Sequence, residues 1–295
     1  MLWWLMEVTD VVALVEKTWK DAKPDRRYAA VQNLRIAIPT EHHSLFDCLL
    51  DAKLTNIEDD PTATVLLLVH GIQTDGAWQK IVQEALSDVD KLNVIELGYD
   101  CVTPLQLISP FRSAPVNKVL REIRDIKQRE PQARLMVIAH SFGSYIVSRI
   151  LHDHSDIQFE RIVLCGSIVP RDFRWDKHAP TMKHGAILND IGTNDFYPVL
   201  ATFGSFGYGS SGRLGFKTGR VVDRYFPYGH STFFDKKRRH IKRFWKPFIQ
   251  SGEVKESGWN TRKPKTTKSI LMLSHPWIGP PFVIAVIVFL LWIVL

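Results

Sequence analysis

Short runs of consecutive apolar residues recur along the chain, and between them apolar residues are spaced three or four positions apart. Two of the runs, residues 64–69 and 135–138, contain no charged residue. Uncharged apolar runs of this length are typical of parallel strands that are buried on both faces. The sequence therefore predicts a sheet built around these two strands.

Further strands and helices are expected around that pair. Strands are predicted at residues 92–97, 161–165 and 186–191. Helices are predicted at residues 76–89, 116–126 and 144–151, where apolar residues recur at helical spacing. Alternating strands and helices predict an α/β fold, with a mostly parallel central sheet and helices on both faces.

The pattern is less clear near the N-terminus. Residues 9–22 have the apolar spacing of a helix, whereas residues 34–38 and 48–54 suggest early strands, as part of an antiparallel edge of the sheet. Residues 241–249 carry a clear apolar stripe and are predicted to form the last helix of the domain.

Composition is that of a globular protein, with 45% hydrophobic and 23% charged residues among 295. The three cysteines, Cys48, Cys101 and Cys165, lie far apart among apolar residues. This sparse, odd number favours a reducing compartment and three buried thiols, without a disulfide framework or a metal site.

The C-terminal segment changes the picture, because residues 269–295 contain no Asp, Glu, Lys or Arg. Residues 282–295 are continuously apolar but would span only about 21 Å as a helix. The preceding apolar residues 270–278 supply the missing length, with a kink at Pro280–Pro281. A C-terminal membrane anchor is expected, and the alternative is a tail packed on the domain.

The net charge of +7 is concentrated just before that segment, in residues 236–246 and 255–268. Basic residues ahead of an anchor favour a cytoplasmic catalytic domain. Nucleic acid is not an expected partner, because the basic face of the last helix lacks interleaved aromatic residues. Four segments result: an N-terminal extension (1–60), a catalytic domain (61–250), a basic linker (251–268) and the anchor (269–295).

Candidate chemistry centres on Ser141, in the motif Ala139-His140-Ser141-Phe142-Gly143. A predicted strand precedes the serine and a predicted helix follows it, which is the context of a nucleophile elbow. Gly143 suits the crowding of strand and helix, and Ala139 stands where the usual motif has glycine. Residues 207–212 match G-x-G-x-x-G, but a dinucleotide site is rejected because no clear strand precedes them. The glycines of residues 204–219 instead suggest a mobile loop or hairpin.

With His70-Gly71-Ile72, Gly192-Thr193-Asn194-Asp195 and Gly229-His230-Ser231, this motif resembles the α/β-hydrolases, notably bacterial lipase- and esterase-like members. The resemblance covers roughly residues 61–250. It implies Ser141 as nucleophile, Asp195 as acid and His230 as base, in that chain order.

Other residues follow from the same resemblance. The backbone N–H groups of Ile72 and Phe142 would form the oxyanion hole, supported by His70, Gly71 and Gly143. Asp190 competes with Asp195 but lies inside a predicted strand, where structural hydrogen bonds are expected. The other histidines fit the base less well: His140 is expected to pack, and His240 to lie on the charged helix face. The same expectation of no role holds for four histidines that precede the acid, His152, His154, His178 and His184.

The expected function is a membrane-anchored serine hydrolase that cleaves an ester through an acyl-enzyme, without a metal or organic cofactor. A lipid or other acyl ester is the expected substrate, with amide and thioester substrates left open. The alternative is a non-catalytic, membrane-tethered interaction protein that keeps the hydrolase fold.

Overall fold

The structure is a computed structural model. It describes residues 7–22, 27–55, 64–71, 77–98, 112–183, 185–259, 269, 272, 275, 278–282 and 284–285. The chain divides into two compact units. One comprises residues 1–61 and 126–132, and the other comprises residues 62–125 and 133–295.

The first unit is helical where it is described. Helices α1 (Val8–Asp21), α2 (Arg27–Gln32) and α3 (His43–Thr55) are joined by 3₁₀ turns at Asn33–Ala37 and Thr40–His42. The helix predicted at residues 9–22 is thus present. Its small core consists of Val11, Val15, Val31, Ile38, Phe46 and Leu50.

The predicted strands at residues 34–38 and 48–54 are wrong. Residues 34–37 lie in a 3₁₀ turn and residues 48–54 lie in α3. The burial of Phe46 and Leu50 agrees with a helix, because residues four positions apart lie on the same helical face. Arg35 pairs with Asp47 at 2.9 Å and ties the 3₁₀ turn to α3. The spacing of apolar residues in such short segments is compatible with a helix or a strand, and only their packing partners distinguish the two.

The second unit contains a six-stranded, entirely parallel sheet in the order β2-β1-β3-β4-β5-β6. The strands are β1 (Thr64–Val69), β2 (Leu92–Leu97), β3 (Arg134–His140), β4 (Arg161–Cys165), β5 (Ile187–Gly192) and β6 (Val221–Phe226). Every residue of β1 and β5 is buried, and only the first residue of β3 is exposed. The five strands predicted in this unit are confirmed. β6 was not predicted from the sequence.

Helices connect the strands, namely α4 (Ala77–Leu86), α5 (Ser113–Arg129), α6 (Phe142–Asp153), α7 (Trp175–His178), α8 (Tyr197–Gly204) and α9 (Ser211–Leu214). After β6, a single turn of π-helix (Ile241–Trp245) continues into α10 (Lys246–Ser251). The predicted apolar stripe of this last helix is buried, from Ile241 to Ile249, in the same core cluster as residues of β1, β3 and β4. A parallel sheet with connecting helices fits the α/β-hydrolase fold that the sequence motifs imply.

The strand order reverses at β1, because β2 and β3 lie on opposite sides of it. In open parallel sheets, ligands bind beyond the carboxyl ends of the strands at such a reversal. His70 and Gly71 follow β1, and Ser141 follows β3, so the fold brings these segments together at one edge.

Most of the proposed anchor lies outside the described residues, including Val283 and residues 286–295. Among the residues that are described, no helix is both long enough and apolar enough to cross a bilayer.

Candidate active site

Ser141 occupies a strained turn between β3 and α6. Its backbone angles are φ 55° and ψ −122°, which a residue with a side chain rarely adopts. The turn is held by the Ser141 N–H, which donates to the Cys165 carbonyl at 3.0 Å, and by Ser144, whose N–H donates to the Ser141 carbonyl. Such a turn lifts the serine side chain away from the sheet, as a nucleophile elbow requires.

Two glycines permit this turn. A Cβ at Gly143 would lie 2.2 Å from the Val69 carbonyl oxygen, so the first turn of α6 needs glycine where it crosses the end of β1. A Cβ at Gly71 would lie 2.8 Å from Ser141 Cβ and 3.2 Å from Ser141 Oγ. Gly71 therefore lies directly against the serine side chain.

Asp195 and His230 form a hydrogen-bonded pair. His230 Nδ1 donates to Asp195 Oδ2 at 2.8 Å, while the Tyr197 N–H donates to Oδ1 at 3.0 Å. The Asp195 side chain is fully buried, and that of His230 remains 15% exposed. Because Nδ1 carries the proton that Asp195 accepts, Nε2 is left as the basic nitrogen of the neutral ring.

Strand register explains how residues 35 positions apart meet. The end of β5, Gly192, is paired with Phe226 at the end of β6. The Asn194 N–H then donates to the Tyr228 carbonyl at 3.0 Å, which continues the pairing into both loops. Asp195 directly follows Asn194, and His230 lies two residues after Tyr228.

Gly166, directly after β4, connects the histidine to the serine turn. A Cβ at this position, where φ is +55°, would lie 2.8 Å from His230 Cε1 and Nδ1 and 3.3 Å from His140 Nε2. The preceding residue, Cys165, accepts the hydrogen bond from Ser141 N–H. The structure therefore brings Ser141, Gly71, Gly166, His230 and Asp195 to the same edge of the sheet.

His140 has a larger role than the packing expected of it. Its Nε2 donates to the His230 carbonyl at 3.1 Å, and the two ring centroids are 4.6 Å apart. Burial, and then the nearby His230, lowers the pKa of His140 to about 3. A neutral His140 thus braces the backbone of His230 without adding a positive charge beside it. No sequence signal beyond its place next to Ser141 pointed to this contact.

Tyr197 was also missed by the sequence analysis. Its ring stacks on the His230 ring at 4.6 Å, with 27° between the planes. It begins α8, two residues after Asp195, and its N–H donates to the Asp195 carboxylate. Tyr197 therefore covers one face of the imidazole while remaining largely exposed itself.

Asp190 has the structural role expected of it. Arg224 donates to both of its oxygens, at 2.7 and 2.9 Å, and His240 Nε2 and Trp245 Nε1 donate at 2.8 and 2.7 Å. All four side chains are buried. Burial acts to raise the pKa of Asp190, but Arg224 and His240 outweigh it and hold the pKa at about 2.

The expectation that His240 lies on the charged surface is wrong, because its side chain is fully buried against Asp190. The π-helical turn explains the error. Its i to i+5 hydrogen bond, from Lys246 N–H to the Ile241 carbonyl, is wider than an α-turn. This turn lets His240 and Trp245 both reach one carboxylate, which α-helical periodicity does not anticipate.

Of the two expected oxyanion donors, only Phe142 lies within the described residues. Phe142 is the first residue of α6, so its N–H lies at the helix N-terminus beside Ser141. Ile72 lies outside the described residues. The supporting His70 is buried, and its Nδ1 lies 2.6 Å from the Gly71 carbonyl oxygen.

The glycine-rich segment 204–219 is packed, contrary to the expected mobile loop or hairpin. It contains α9, and the N–H groups of Gly209 and Gly212 donate at 2.7 Å to the carbonyls of Ile168 and Ser167. A Cβ at Gly212 would lie 2.2 Å from Ser167 N. These glycines allow close backbone contact beside the carboxyl end of β4.

Arg213 on α9 is buried beside the site. Its guanidinium lies 5.1 Å from the centroid of the Phe196 ring, and Nε and Nη1 have no hydrogen-bond partner among the described residues. Burial lowers the pKa of Arg213, and the negative charge of Asp195 raises it in opposition. The guanidinium and the Asp195 carboxylate therefore interact electrostatically.

The thiols only partly match expectation. Cys165 is buried in the core, whereas Cys48 is exposed, so the prediction of a buried Cys48 is wrong. Cys101 lies outside the described residues. In the part of the chain that the structure describes, no group of three or more His, Cys, Asp and Glu side chains is arranged to hold a metal ion.

No family model and no curated protein matches the chain. Solved structures similar to it include a carboxyl esterase from Bacillus coagulans, an esterase from Pyrococcus furiosus and an α/β serine hydrolase from Xanthomonas campestris. Their identities are 13%, 13% and 16%, with TM-scores of 0.28, 0.41 and 0.39.

The matched regions cover 41%, 66% and 71% of this chain, and 40%, 83% and 88% of the three structures respectively. The chain thus spans two fifths of the Bacillus esterase. TM-scores this low do not show a family or an activity for this chain.

Proposed function

We propose that this protein is a serine hydrolase that cleaves an acyl ester through Ser141, His230 and Asp195. The supporting observation is the Asp195–His230 hydrogen bond of 2.8 Å, at the sheet edge where Ser141 occupies a strained turn. An aspartate held by its own structural network, such as Asp190, would not serve this purpose. One carboxylate oxygen of Asp195 instead accepts the hydrogen bond from His230.

The proposed reaction follows from these positions. His230 Nε2 removes the proton of the Ser141 hydroxyl as Oγ attacks the ester carbonyl, and Asp195 stabilises the imidazolium that forms. The developing oxyanion accepts a hydrogen bond from Phe142 N–H, with Ile72 N–H as the second proposed donor. His230 returns the proton to the leaving alcohol. Water then attacks the acyl-enzyme by the same route and releases the acid.

We also propose that the protein is attached to a membrane through residues 269–295, with the catalytic domain on the cytoplasmic side. The support is the sequence of this segment, which contains no acidic or basic residue and follows a lysine-rich linker. A lipid or other acyl ester is the substrate that this placement favours.

The activity test is a series of p-nitrophenyl esters of increasing acyl length, assayed with wild type, Ser141→Ala and the control Ser155→Ala. Ser155 is an exposed serine in the loop before β4, at the opposite end of that strand from the site. Turnover by wild type and Ser155→Ala, with loss in Ser141→Ala, supports the proposal. A folded wild-type protein without turnover of any ester or of matched amides and thioesters would favour the non-catalytic interaction protein.

A further inference from the structure

An exposed apolar surface borders the proposed active site. Phe196, Tyr197 and Leu200 are 53%, 64% and 61% exposed, an unusual degree for large apolar side chains that lie within one helical turn of each other. They belong to α8 and the residue before it, which directly follow Asp195. Tyr197 joins this surface to the site, because its ring stacks on His230.

A distant part of the sequence extends the same surface. Gly279 lies against Phe203 of α8 so closely that a Cβ there would be 2.4 Å from Phe203 Cα, and the Phe282 and Phe203 rings are 5.9 Å apart. Ile278, Phe282 and Ile284 are themselves 39%, 59% and 52% exposed. We call residues 196, 197, 200, 278, 282 and 284 the apolar rim.

The side chains of the rim carry no charge, and Arg213, whose guanidinium lies 5.1 Å from the Phe196 ring centroid, is buried. α8 contains no acidic or basic residue, and residues 269–295 contain none either. A protein-binding surface usually has a polar margin with charged or hydrogen-bonding groups. The sequence instead continues from Ile284 through residues 285–295 with apolar residues only. An uncharged surface continuous with such a segment is matched to hydrocarbon.

We infer that the apolar rim is a membrane-contacting surface, which rests on the interface of a lipid bilayer and brings the partly exposed His230 side chain close to lipid esters. This inference rests on the proposed function for its substrate, but the contact itself does not depend on catalysis. Because the rim is uncharged, its contact with zwitterionic lipid should persist at high salt. Attachment through the basic residues 236–246 alone would instead weaken as salt screens the charges.

The test places an environment-sensitive fluorophore on the rim of the full-length protein. Cysteine is introduced as Leu200→Cys, in a background of Cys48→Ser and Cys101→Ser, and is labelled with a nitrobenzoxadiazole. Cys165 is retained because it is buried and burial raises its thiol pKa. The matched control is Ser155→Cys, an exposed position in the loop before β4 at the opposite sheet edge.

Vesicles of phosphatidylcholine alone are added at low and at high salt. The inference predicts a blue shift and intensity gain at position 200 under both conditions, with no change at position 155. No shift at position 200, equal shifts at both positions, or a shift that disappears at high salt would each overturn it.

A second variant separates this inference from the proposed function. Leu200→Glu should lower hydrolysis of a vesicle-embedded ester about tenfold or more, because it replaces a membrane-facing apolar side chain by a charge, yet leave hydrolysis of a soluble short-chain ester nearly unchanged. Equal rates for wild type and Leu200→Glu on both esters would count against the rim. Absence of soluble-ester turnover in wild type would refute the proposed function, while the fluorescence shift would still decide the surface.

Discussion

Two aspartates at the end of β5 lie five residues apart, and each accepts a hydrogen bond from a histidine. Asp190 also binds Arg224 and Trp245, and every partner is buried. Asp195 binds His230 and one backbone N–H, and the imidazole remains partly open to solvent beside the serine turn. An Asp–His pair is therefore not a catalytic signature by itself.

What separates the two pairs is the free nitrogen of each histidine. His240 donates Nε2 to Asp190 and its Nδ1 has no partner in the described residues, enclosed among aromatic rings such as Phe226 and Phe244. His230 donates Nδ1 to Asp195, which leaves Nε2 for chemistry. The Asp190–His240 pair joins β5, β6 and the π-helical turn through buried hydrogen bonds. The second pair has the arrangement that the proposed proton transfer requires.

The two pairs are also linked through the chain. Arg224 precedes the loop that carries His230, and His240 and Trp245 follow it, so a single carboxylate fixes both ends of that loop. The Asp190 network therefore positions the segment that presents His230, while taking no part in the proposed reaction.

The largest expected effect comes from Asp195→Asn. An asparagine can hold the wrong tautomer of His230, so ester turnover should fall about 10⁴-fold, as such a change does in serine proteases. The free energy of unfolding should change little. Measurement of kcat and of urea unfolding on the same preparation tests both expectations. A drop in kcat of less than tenfold would show that Asp195 is not the catalytic acid.

Asp190→Asn should have the opposite effect to Asp195→Asn, with a large loss of stability and little loss of turnover. Loss of the carboxylate leaves the Arg224 charge buried without its counter-charge, which lowers the free energy of unfolding by about 3–5 kcal/mol. The folded fraction should retain most of its kcat, because Asp190 does not contact the proposed reacting groups. If Asp190→Asn were as stable as wild type, the proposed division between the two aspartates would be wrong.

Acid should destabilise the protein through His140. In the unfolded chain this histidine titrates near its ordinary pKa of about 6.5, whereas burial lowers its pKa in the folded protein to about 3. Below about pH 6.5 the unfolded state therefore binds a proton that the native state excludes. The free energy of unfolding should fall by about 1.4 kcal/mol per pH unit from this group, down to about pH 3.

His140→Gln tests this, because glutamine keeps a donor for the His230 carbonyl but does not titrate. Its stability should depend less steeply on pH than that of wild type in this range. Identical slopes would show that His140 does not remain neutral in the folded protein. The depressed pKa of Asp190 acts at lower pH: its contribution is complete above about pH 4 and is lost as the pH falls toward 2.

The smallest effect is expected at the surface. Lys236 pairs with Glu84 at 2.6 Å, but both side chains are more than half exposed. Lys236→Gln should change the free energy of unfolding by less than about 0.5 kcal/mol, since water and salt screen such pairs. A loss comparable to that of Asp190→Asn would mean that exposure does not govern the strength of these ion pairs.

The sequence predicted the parts of the fold that are buried on both faces. Strands β1 and β3 contain uninterrupted apolar runs at residues 65–69 and 135–139, as expected for strands that are covered on both faces of a parallel sheet. β6 was missed because Asp223 and Arg224 interrupt its pattern. Their charges are tolerated because Arg224 pairs with Asp190 and Asp223 accepts from Asn189 on the neighbouring strand, and neither partner can be deduced from spacing.

The structural role of Asp190 could be predicted from the sequence, because a polar side chain inside a central strand needs hydrogen-bond partners from its neighbours. The position of His240 could not, because it depends on a π-helical turn. The brace from His140 to His230 and the Tyr197 ring over His230 also depend on tertiary contacts between segments far apart in sequence or on loop geometry.

The most direct test of the central claim is labelling with a fluorophosphonate probe, followed by mass spectrometry to locate the modified residue. The account predicts a phosphonyl adduct on Ser141 in wild type, much slower labelling in Asp195→Asn, and none in Ser141→Ala. An adduct on another residue, or undiminished labelling of Ser141→Ala, would contradict it.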